Sequence, residues 1–152
     1  MIASNRTYKL VNVAAGNVLD LSGSNNSLVV GGDWHAGDNQ KWHVDEVNGG
    51  WMLRNIATGL YLGINGDAKD LAPAAMVAEV FHWNIVPYES DSSAFRLFVP
   101  NTSYNLDLYG GEAKPGTPVI IYTKHVPGDN QAWRFEEGEY QSQLALPRHR
   151  DA

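Results

Sequence analysis

A five-residue segment that occurs twice sets the strongest limit on how this chain folds. Asp38-Asn39-Gln40-Lys41-Trp42 returns as Asp129-Asn130-Gln131-Ala132-Trp133, and a Leu-Asp-Leu triplet precedes each copy, at Leu19-Asp20-Leu21 and Leu106-Asp107-Leu108. Trp42 follows Asp20 by 22 residues, and Trp133 follows Asp107 by 26. A two-part pattern held at nearly constant spacing marks a repeated structural unit, and such a repeat decides architecture before any local assignment does.

A third, altered copy lies between them. Phe81-His82-Trp83, followed by Asn84-Ile85-Val86, parallels Trp42-His43-Val44. Thr58-Gly59-Leu60-Tyr61-Leu62-Gly63-Ile64 aligns with Ala15-Gly16-Asn17-Val18-Leu19-Asp20-Leu21, which sets Asp20, Gly63 and Asp107 in register at spacings of 43 and 44 residues. Each unit opens alike, on Tyr8-Lys9-Leu10-Val11-Asn12, Trp51-Met52-Leu53-Arg54-Asn55 and Phe95-Arg96-Leu97-Phe98-Val99. The units run roughly over 8–47, 51–89 and 95–138.

Apolar residues in these units alternate or fall in short runs, such as Leu28-Val29-Val30 and Val119-Ile120-Ile121-Tyr122, bounded by Gly, Asn, Asp and Pro. That is strand patterning. Ala72–Val80 holds several helix formers, but it is short, contains Pro73 and sits where the other units place a strand. About four strands per unit predict an all-β chain of about twelve strands with pseudo-threefold symmetry. A closed barrel capped by hairpins, the β-trefoil, suits three four-stranded units and removes exposed sheet edges. Residues 139–152 fall outside the third unit and read as a polar tail, with Leu144-Ala145-Leu146 as a segment able to dock.

Composition narrows the function. With 152 residues, one domain (1–138) is expected, and 43% hydrophobic with 18% charged residues is ordinary globular composition. A net charge of −6 argues against nucleic acid as a partner, since phosphate binding needs clustered Lys and Arg. The absence of cysteine excludes disulfides, thiolate metal sites and Cys nucleophiles. The amino terminus has no apolar leader and no run approaches a membrane span, so the expectation is a cytoplasmic protein with no membrane insertion, any release being unconventional. The glycosylation sequons at Asn5, Asn25 and Asn101 then read as loop polarity.

The threefold repeat of about forty residues, ending in Gln-x-Trp with Leu-Asp-Leu some twenty residues earlier, resembles the ricin-B-type lectins, also classed as family 13 carbohydrate-binding modules. It is most like the single-domain mushroom lectins, and the resemblance covers residues 8 to about 138. It implies that Trp42, Trp83 and Trp133 pack in the core and that Gln40 and Gln131 brace the site. It further implies that the Asp accepts hydrogen bonds from two neighbouring sugar hydroxyls. The backbone N–H three residues later (Gly23, Gly110) adds a donor, the Asn before the Gln (Asn39, Asn130) gives both a donor and an acceptor, and an aromatic ring stacks on the sugar. Galactose-type ligands suit such a platform.

On that pattern the third unit is complete, with Asp107, Gly110, Tyr122, Asn130 and Gln131, and with His125 as a polar contact near the ring or a turn cap. The first unit keeps Asp20, Gly23, Asn39 and Gln40, but Gly32 stands at the aromatic position. Trp34, two residues on, would face the same side if the strand continued, and with His35 would form an offset platform; otherwise the site is weakened or retuned. The middle unit, with Gly63, Val80 and Phe81, has no such site.

The expectation is therefore a lectin for galactose or N-acetylgalactosamine glycans, needing no cofactor or metal, with two sites or a homodimer to engage multivalent surfaces. Enzymatic chemistry is not expected. No H-x-x-x-H, H-E-x-x-H or G-x-S-x-G pattern is present, and the two carboxylates belong to different units, unlike the close pair of a glycosidase. The alternative is a β-trefoil protease inhibitor acting through an exposed loop, for which Tyr88-Glu89-Ser90-Asp91-Ser92-Ser93 is the candidate.

Overall fold

The computed structural model describes residues 1–23 and 27–137. Among them are twelve strands: β1 (Arg6–Asn12), β2 (Val18–Ser22), β3 (Leu28–Gly32), β4 (Trp42–Val47), β5 (Gly50–Asn55), β6 (Tyr61–Ile64), β7 (Ala74–Val77), β8 (Asn84–Tyr88), β9 (Asp91–Phe98), β10 (Tyr104–Leu108), β11 (Thr117–Thr123) and β12 (Trp133–Glu136). Three 3-10 turns, Asp38–Gln40, Tyr109–Gly111 and Asp129–Gln131, complete the regular structure.

Six strands close a ring. β1 pairs with β4, β4 with β5, β8 with β9, β9 with β12 and β12 with β1, all antiparallel. The remaining seam, between β5 and β8, is closed by Trp51 and Trp83, which exchange backbone hydrogen bonds of 2.9 and 2.8 Å. The other six strands form the hairpins β2–β3, β6–β7 and β10–β11. These lean on one another through a β11–β3 pairing and an isolated Pro73–Ile120 bridge. The chain is an all-β β-trefoil of three four-stranded repeats. Ala74–Val77 is a strand despite its helix formers, because barrel symmetry overrides a weak local propensity.

The core repeats with the sequence. Trp42, Trp83 and Trp133 are fully buried, and their indole nitrogens donate to the carbonyls of Leu19, Leu62 and Leu106 at 3.1, 3.0 and 3.1 Å. Each bond ties the barrel to the first strand of its own unit's hairpin and satisfies an indole N–H that burial would otherwise strand. Leu10, Leu53 and Leu97, at matching places in the three unit openings, are also fully buried.

The middle unit shows what an apolar substitute for the Asp–Gln pair looks like. Phe81 packs so closely over Gly63 that a Cβ there would lie 3.1 Å from its ring carbon Cγ, while its ring tilts against Trp83 at 4.9 Å. Gly63 and Phe81 therefore form a matched pair. Losing the Asp makes room for the ring that replaces the Gln.

The expected inhibitory loop is not a protruding loop. Tyr88–Ser93 is a short hairpin linking β8 to β9, stitched down at several points. The Tyr88 hydroxyl donates to Asp129 at 2.6 Å, Glu89 is bound by Arg96, and Asp91 accepts from Ser93 and Arg134. Those bonds and the Arg134 charge hold the Asp91 carboxyl down at about 2. Tyr88, Glu89, Asp91 and Ser93 are engaged in intramolecular pairing, which sequence composition could not reveal. The docking segment Leu144-Ala145-Leu146 lies outside the described residues.

Candidate carbohydrate-binding site

The third unit builds its site on one hairpin face and one turn. In the β10–β11 register Asp107 stands opposite Ile120, and Asn105 opposite Tyr122. Directly opposed residues, and residues two apart on a strand, share a face, so Asp107, Ile120 and Tyr122 emerge together. The turn Asp129–Gln131 then brings two amides onto the carboxylate. Asn130 Nδ2 donates to Asp107 Oδ1 at 3.1 Å, and Gln131 Nε2 to Oδ2 at 2.9 Å.

Gln131 is fully buried and its amide is saturated. Nε2 also donates to the Thr123 carbonyl at 3.1 Å, while Oε1 accepts from the His125 backbone N–H at 3.1 Å and from the Arg96 guanidinium at 2.6 Å. With every donor and acceptor used, Gln131 positions Asp107 and does not reach a ligand. Asn130 Nδ2 is likewise engaged, its second bond going to the Leu108 carbonyl at 3.3 Å. The expectation that this Asn offers both a donor and an acceptor is corrected. The donor is taken internally, and Oδ1 is left as the acceptor.

His125 closes one side. Its Nδ1 must carry a proton, because its partner at 2.8 Å is the Pro127 carbonyl, which only accepts. Nε2 is thereby turned to within 3.9 Å of Asp107 Oδ2, and the ring meets Tyr122 edge-on at 6.4 Å. One nitrogen thus caps the turn and the other faces the Asp107 carboxylate. Gly110, at φ 63, turns the chain in a left-handed conformation that a side chain would strain.

Asp107, Gly110, Tyr122, His125 and Asn130 surround a cavity of about 380 Å³, a volume suited to a small ligand. Leu71, Tyr109 and Ile120, which sequence reasoning did not single out, complete its wall. Burial pushes the Asp107 carboxyl above the usual carboxylate range, against the opposing hydrogen bonds of Gln131 and Asn130 and the nearby His125. A raised carboxyl takes up its proton earlier on acidification, and a protonated one no longer accepts from two hydroxyls. Ligand affinity at this site is therefore expected to be full near neutrality and to fall on acidification with an onset above about pH 4, the ordinary Asp value. Affinity unchanged down to that pH would contradict the role given to Asp107.

The first unit repeats the bracing almost bond for bond. Asn39 Nδ2 donates to Asp20 Oδ1 at 3.2 Å and to the Leu21 carbonyl at 3.0 Å. Gln40 Nε2 donates to Asp20 Oδ2 and to the Asp33 carbonyl, both at 2.7 Å, and its Oε1 accepts from the His35 N–H at 2.9 Å. His35 is thus the counterpart of His125, and its Nδ1 accepts from the Gly37 N–H at 3.1 Å. Gln40 is fully buried and, like Gln131, cannot touch a ligand. Gly23 sits at φ 92 where the hairpin turns.

Asp20 pairs with Val30 and Val18 with Gly32, so Gly32 is the structural counterpart of Tyr122. A Cβ at Gly32 would collide with the Asp20 carboxylate, which leans into the vacated space. Strand β3 ends at Gly32, so the alternation expected to set Trp34 on the same face does not extend to it. The Trp34 ring is half-exposed and lies over Lys9 Nζ at 4.5 Å. The two sites therefore share a polar base and differ in their walls.

Two further residues join the site by symmetry. Asn12 Nδ2 donates to the Asn130 carbonyl at 3.1 Å, and Asn55 Nδ2 to the Asn39 carbonyl at 3.1 Å. Each is fully buried at the end of a barrel strand and fixes the Asp-Asn-Gln turn of another unit: unit one supports site three, and unit two supports site one. The third opening carries Val99 at this place, and the turn it would serve belongs to the middle unit, where Gly63, Val80 and Phe81 stand in place of Asp, Asn and Gln. The signal lay in the unit openings, which end in Asn12, Asn55 and Val99.

Among the described residues no group of three or more His, Asp or Glu is placed to hold a metal, and no helix is long and apolar enough to cross a membrane.

The family model described as "Ricin-type beta-trefoil lectin domain-like" matches residues 2–77 and 38–122. Among solved structures, a ricin B-like lectin from Macrolepiota procera in complex with lactose is 41% identical, with a TM-score of 0.88, covering 91% of this chain and 99% of that one. The Rhizoctonia solani agglutinin is 28% identical, with a TM-score of 0.80 and coverage of 91% and 99%. A designed threefold-symmetric protein, ThreeFoil, is 26% identical at a TM-score of 0.77, covering 85% of this chain and 96% of its own. No curated protein sequence matches the chain.

Proposed function

The chain belongs to the ricin-type β-trefoil lectin domain family, and we propose that it binds galactose-type glycans through its third repeat and, on a differently built platform, through its first. The observation that carries this reading is the same carboxylate, held by the same two amides, in two of three units, with Tyr122 beside it in a cavity of about 380 Å³ in one. The ligand in the similar Macrolepiota procera structure, lactose, agrees with it.

Asp107 is fixed with both oxygens available to neighbouring hydroxyls of one ring. In galactose the axial 4-hydroxyl lies on one face, which leaves the other face as a continuous C–H surface. That surface can lie on Tyr122 while the 3- and 4-hydroxyls reach Asp107. Gly110 N–H adds a donor, Asn130 Oδ1 is an acceptor, and His125 Nε2 offers a further polar contact. In the first unit Trp34 and His35 take the wall positions around Asp20 and Asn39. Gln131 and Gln40 hold the carboxylates from behind.

Single shallow sites of this kind bind weakly, since a dissociation constant of 1 mM corresponds to only about −4 kcal/mol. Two sites, or a homodimer, would convert weak contacts into useful avidity on a glycoconjugate surface. The protein acts by binding, without turnover. The inhibitor alternative loses its footing because Tyr88–Ser93 is a stitched hairpin.

A glycan array probed with the purified protein tests the reading. Signals concentrated on terminal galactose and N-acetylgalactosamine, competed by lactose and not by glucose, are expected. Signals confined to glucose- or mannose-terminated glycans, or none with concurrent protease inhibition, would overturn it.

A further inference from the structure

Leu71 is out of place by two ordinary criteria. It is 55% exposed, and it holds φ at +74, a left-handed conformation that is a genuine outlier for a bulky side chain. Such backbone persists only where its surroundings force it, and it concentrates at functional sites.

The forcing contacts are specific. Asp70 Oδ1 accepts from both the backbone N–H and the hydroxyl of Thr123 at 2.8 Å each. Leu71 N donates to the Ile121 carbonyl at 3.0 Å, and Ile121 N donates back to the Ala72 carbonyl at 2.9 Å. A segment of the middle unit is thus clamped along the side of β11 away from β10, beyond the Thr117–Pro118 stretch that pairs with β3. Across that face run Asp107 on β10, Ile120 and Tyr122 on β11, then Leu71, and all four line the same cavity. Adjacent rows lie about 4.8 Å apart, so Leu71 stands two rows, roughly 10 Å, from β10, with Tyr122 between them and Asp107 diagonally across.

We propose that Leu71 is a specificity-determining residue of the third site, an apolar wall that reads the group attached to the anomeric carbon of the bound sugar. The inference rests on the reading that this site takes a galactoside. With the 3- and 4-hydroxyls on Asp107 and the ring over Tyr122, the opposite ring bond is C1–O5. The anomeric substituent therefore leaves the ring toward Leu71. An apolar substituent there covers an exposed leucine, whereas a small one leaves it in water. The middle unit, which lacks a site of its own, supplies the wall to its neighbour's.

The test compares methyl and phenyl β-galactoside binding by isothermal titration in the Asp20→Ala background, where only the third site is read. Leu71→Gly removes the side chain and relaxes the backbone strain, and Leu71→Met restores an apolar side chain. The parent is expected to prefer the phenyl glycoside. That preference should fall about fourfold in Leu71→Gly, the worth of one buried methylene, and return in Leu71→Met. An unchanged preference in Leu71→Gly, or equal weakening of both glycosides, would overturn the assignment while leaving the galactoside reading intact. Failure of the parent to bind either glycoside, when Asp20 alone has been removed, would overturn that reading and this inference with it.

Discussion

Arg96→Met is expected to lower the unfolding free energy by about 3–5 kcal/mol, the loss associated with breaking a buried charged network. Arg96 is fully buried, yet its guanidinium bonds Glu89 Oε1 at 3.0 Å and Oε2 at 2.5 Å, Asn105 Oδ1 at 3.0 Å, Gln131 Oε1 at 2.6 Å and the His125 carbonyl at 3.0 Å. Methionine fills similar volume and satisfies none of them. Glu89 is partly exposed and can return to water, but Asn105 Oδ1 and the His125 carbonyl lose the guanidinium, at about 1–3 kcal/mol each, and Gln131 Oε1 keeps only the His125 N–H. Denaturant unfolding measures the loss. Because Gln131 positions Asp107, the variant should also weaken the third site more than the first, which has Lys9 at the corresponding place. A loss below about 1 kcal/mol would show that the network contributes little.

The second large effect concerns ligand binding. Asp107→Ala should weaken the third site by at least a hundredfold, because it removes the acceptor for two hydroxyls, and a hydrogen bond to a charged group contributes about 1.5–3 kcal/mol. Truncation also frees Gln131 Nε2 and Asn130 Nδ2 to take the hydroxyls in a different geometry, so any residual binding should lose its preference for galactose over glucose. The fold should persist with a modest loss of stability, because Gln131 Nε2 and Asn130 Nδ2 lose an acceptor while removal of a carboxylate whose proton affinity burial has raised offsets part of that cost. Galactoside titration in the Asp20→Ala background, with a thermal melt beside it, separates the two effects. An unfolded variant would reveal a structural Asp107, and near-normal binding would remove it from the site.

Much of this architecture could be read from the chain. A period of 43 to 44 residues and four short strand patterns per unit predict twelve strands, and the repeated carboxylate and amides point to the polar base of each site. These are relations within one unit, where spacing alone brings residues together. The residues that escaped are those that cross between units. Asn12 and Asn55 were visible as the last residues of two matching openings, but the turn each supports lies in another repeat and becomes its neighbour only when the barrel closes. Leu71 reaches the third site from the second unit for the same reason. Arg96 stands in the third unit's opening with nothing in the sequence to mark it, and its burial depends on Glu89 and Gln131 meeting its guanidinium. Strand alternation cannot place Trp34, because β3 ends two residues before it, at Gly32.

The composition of the middle unit follows a physical rule in the same way. Asp, Asn, Gln and the supporting Asn of the following unit are four polar groups that satisfy one another. A unit that loses the carboxylate leaves buried donors without partners. Gly63, Val80, Phe81 and Val99 replace all four at once with apolar or absent side chains, as expected where a half-satisfied polar cluster costs more than an apolar one. The presence or absence of the whole set, and not the Gln-x-Trp segment alone, is what sets the first and third units apart from the middle one.

The most direct test counts sites. Titration of the wild-type protein with a monovalent galactoside, followed by calorimetry or by NMR of the indole resonances, should saturate at two sites per chain. Asp20→Ala and Asp107→Ala should each leave one, and the double variant none, with the fold unchanged in all. Galactoside binding retained by a folded Asp20→Ala, Asp107→Ala double variant would contradict the account at its centre.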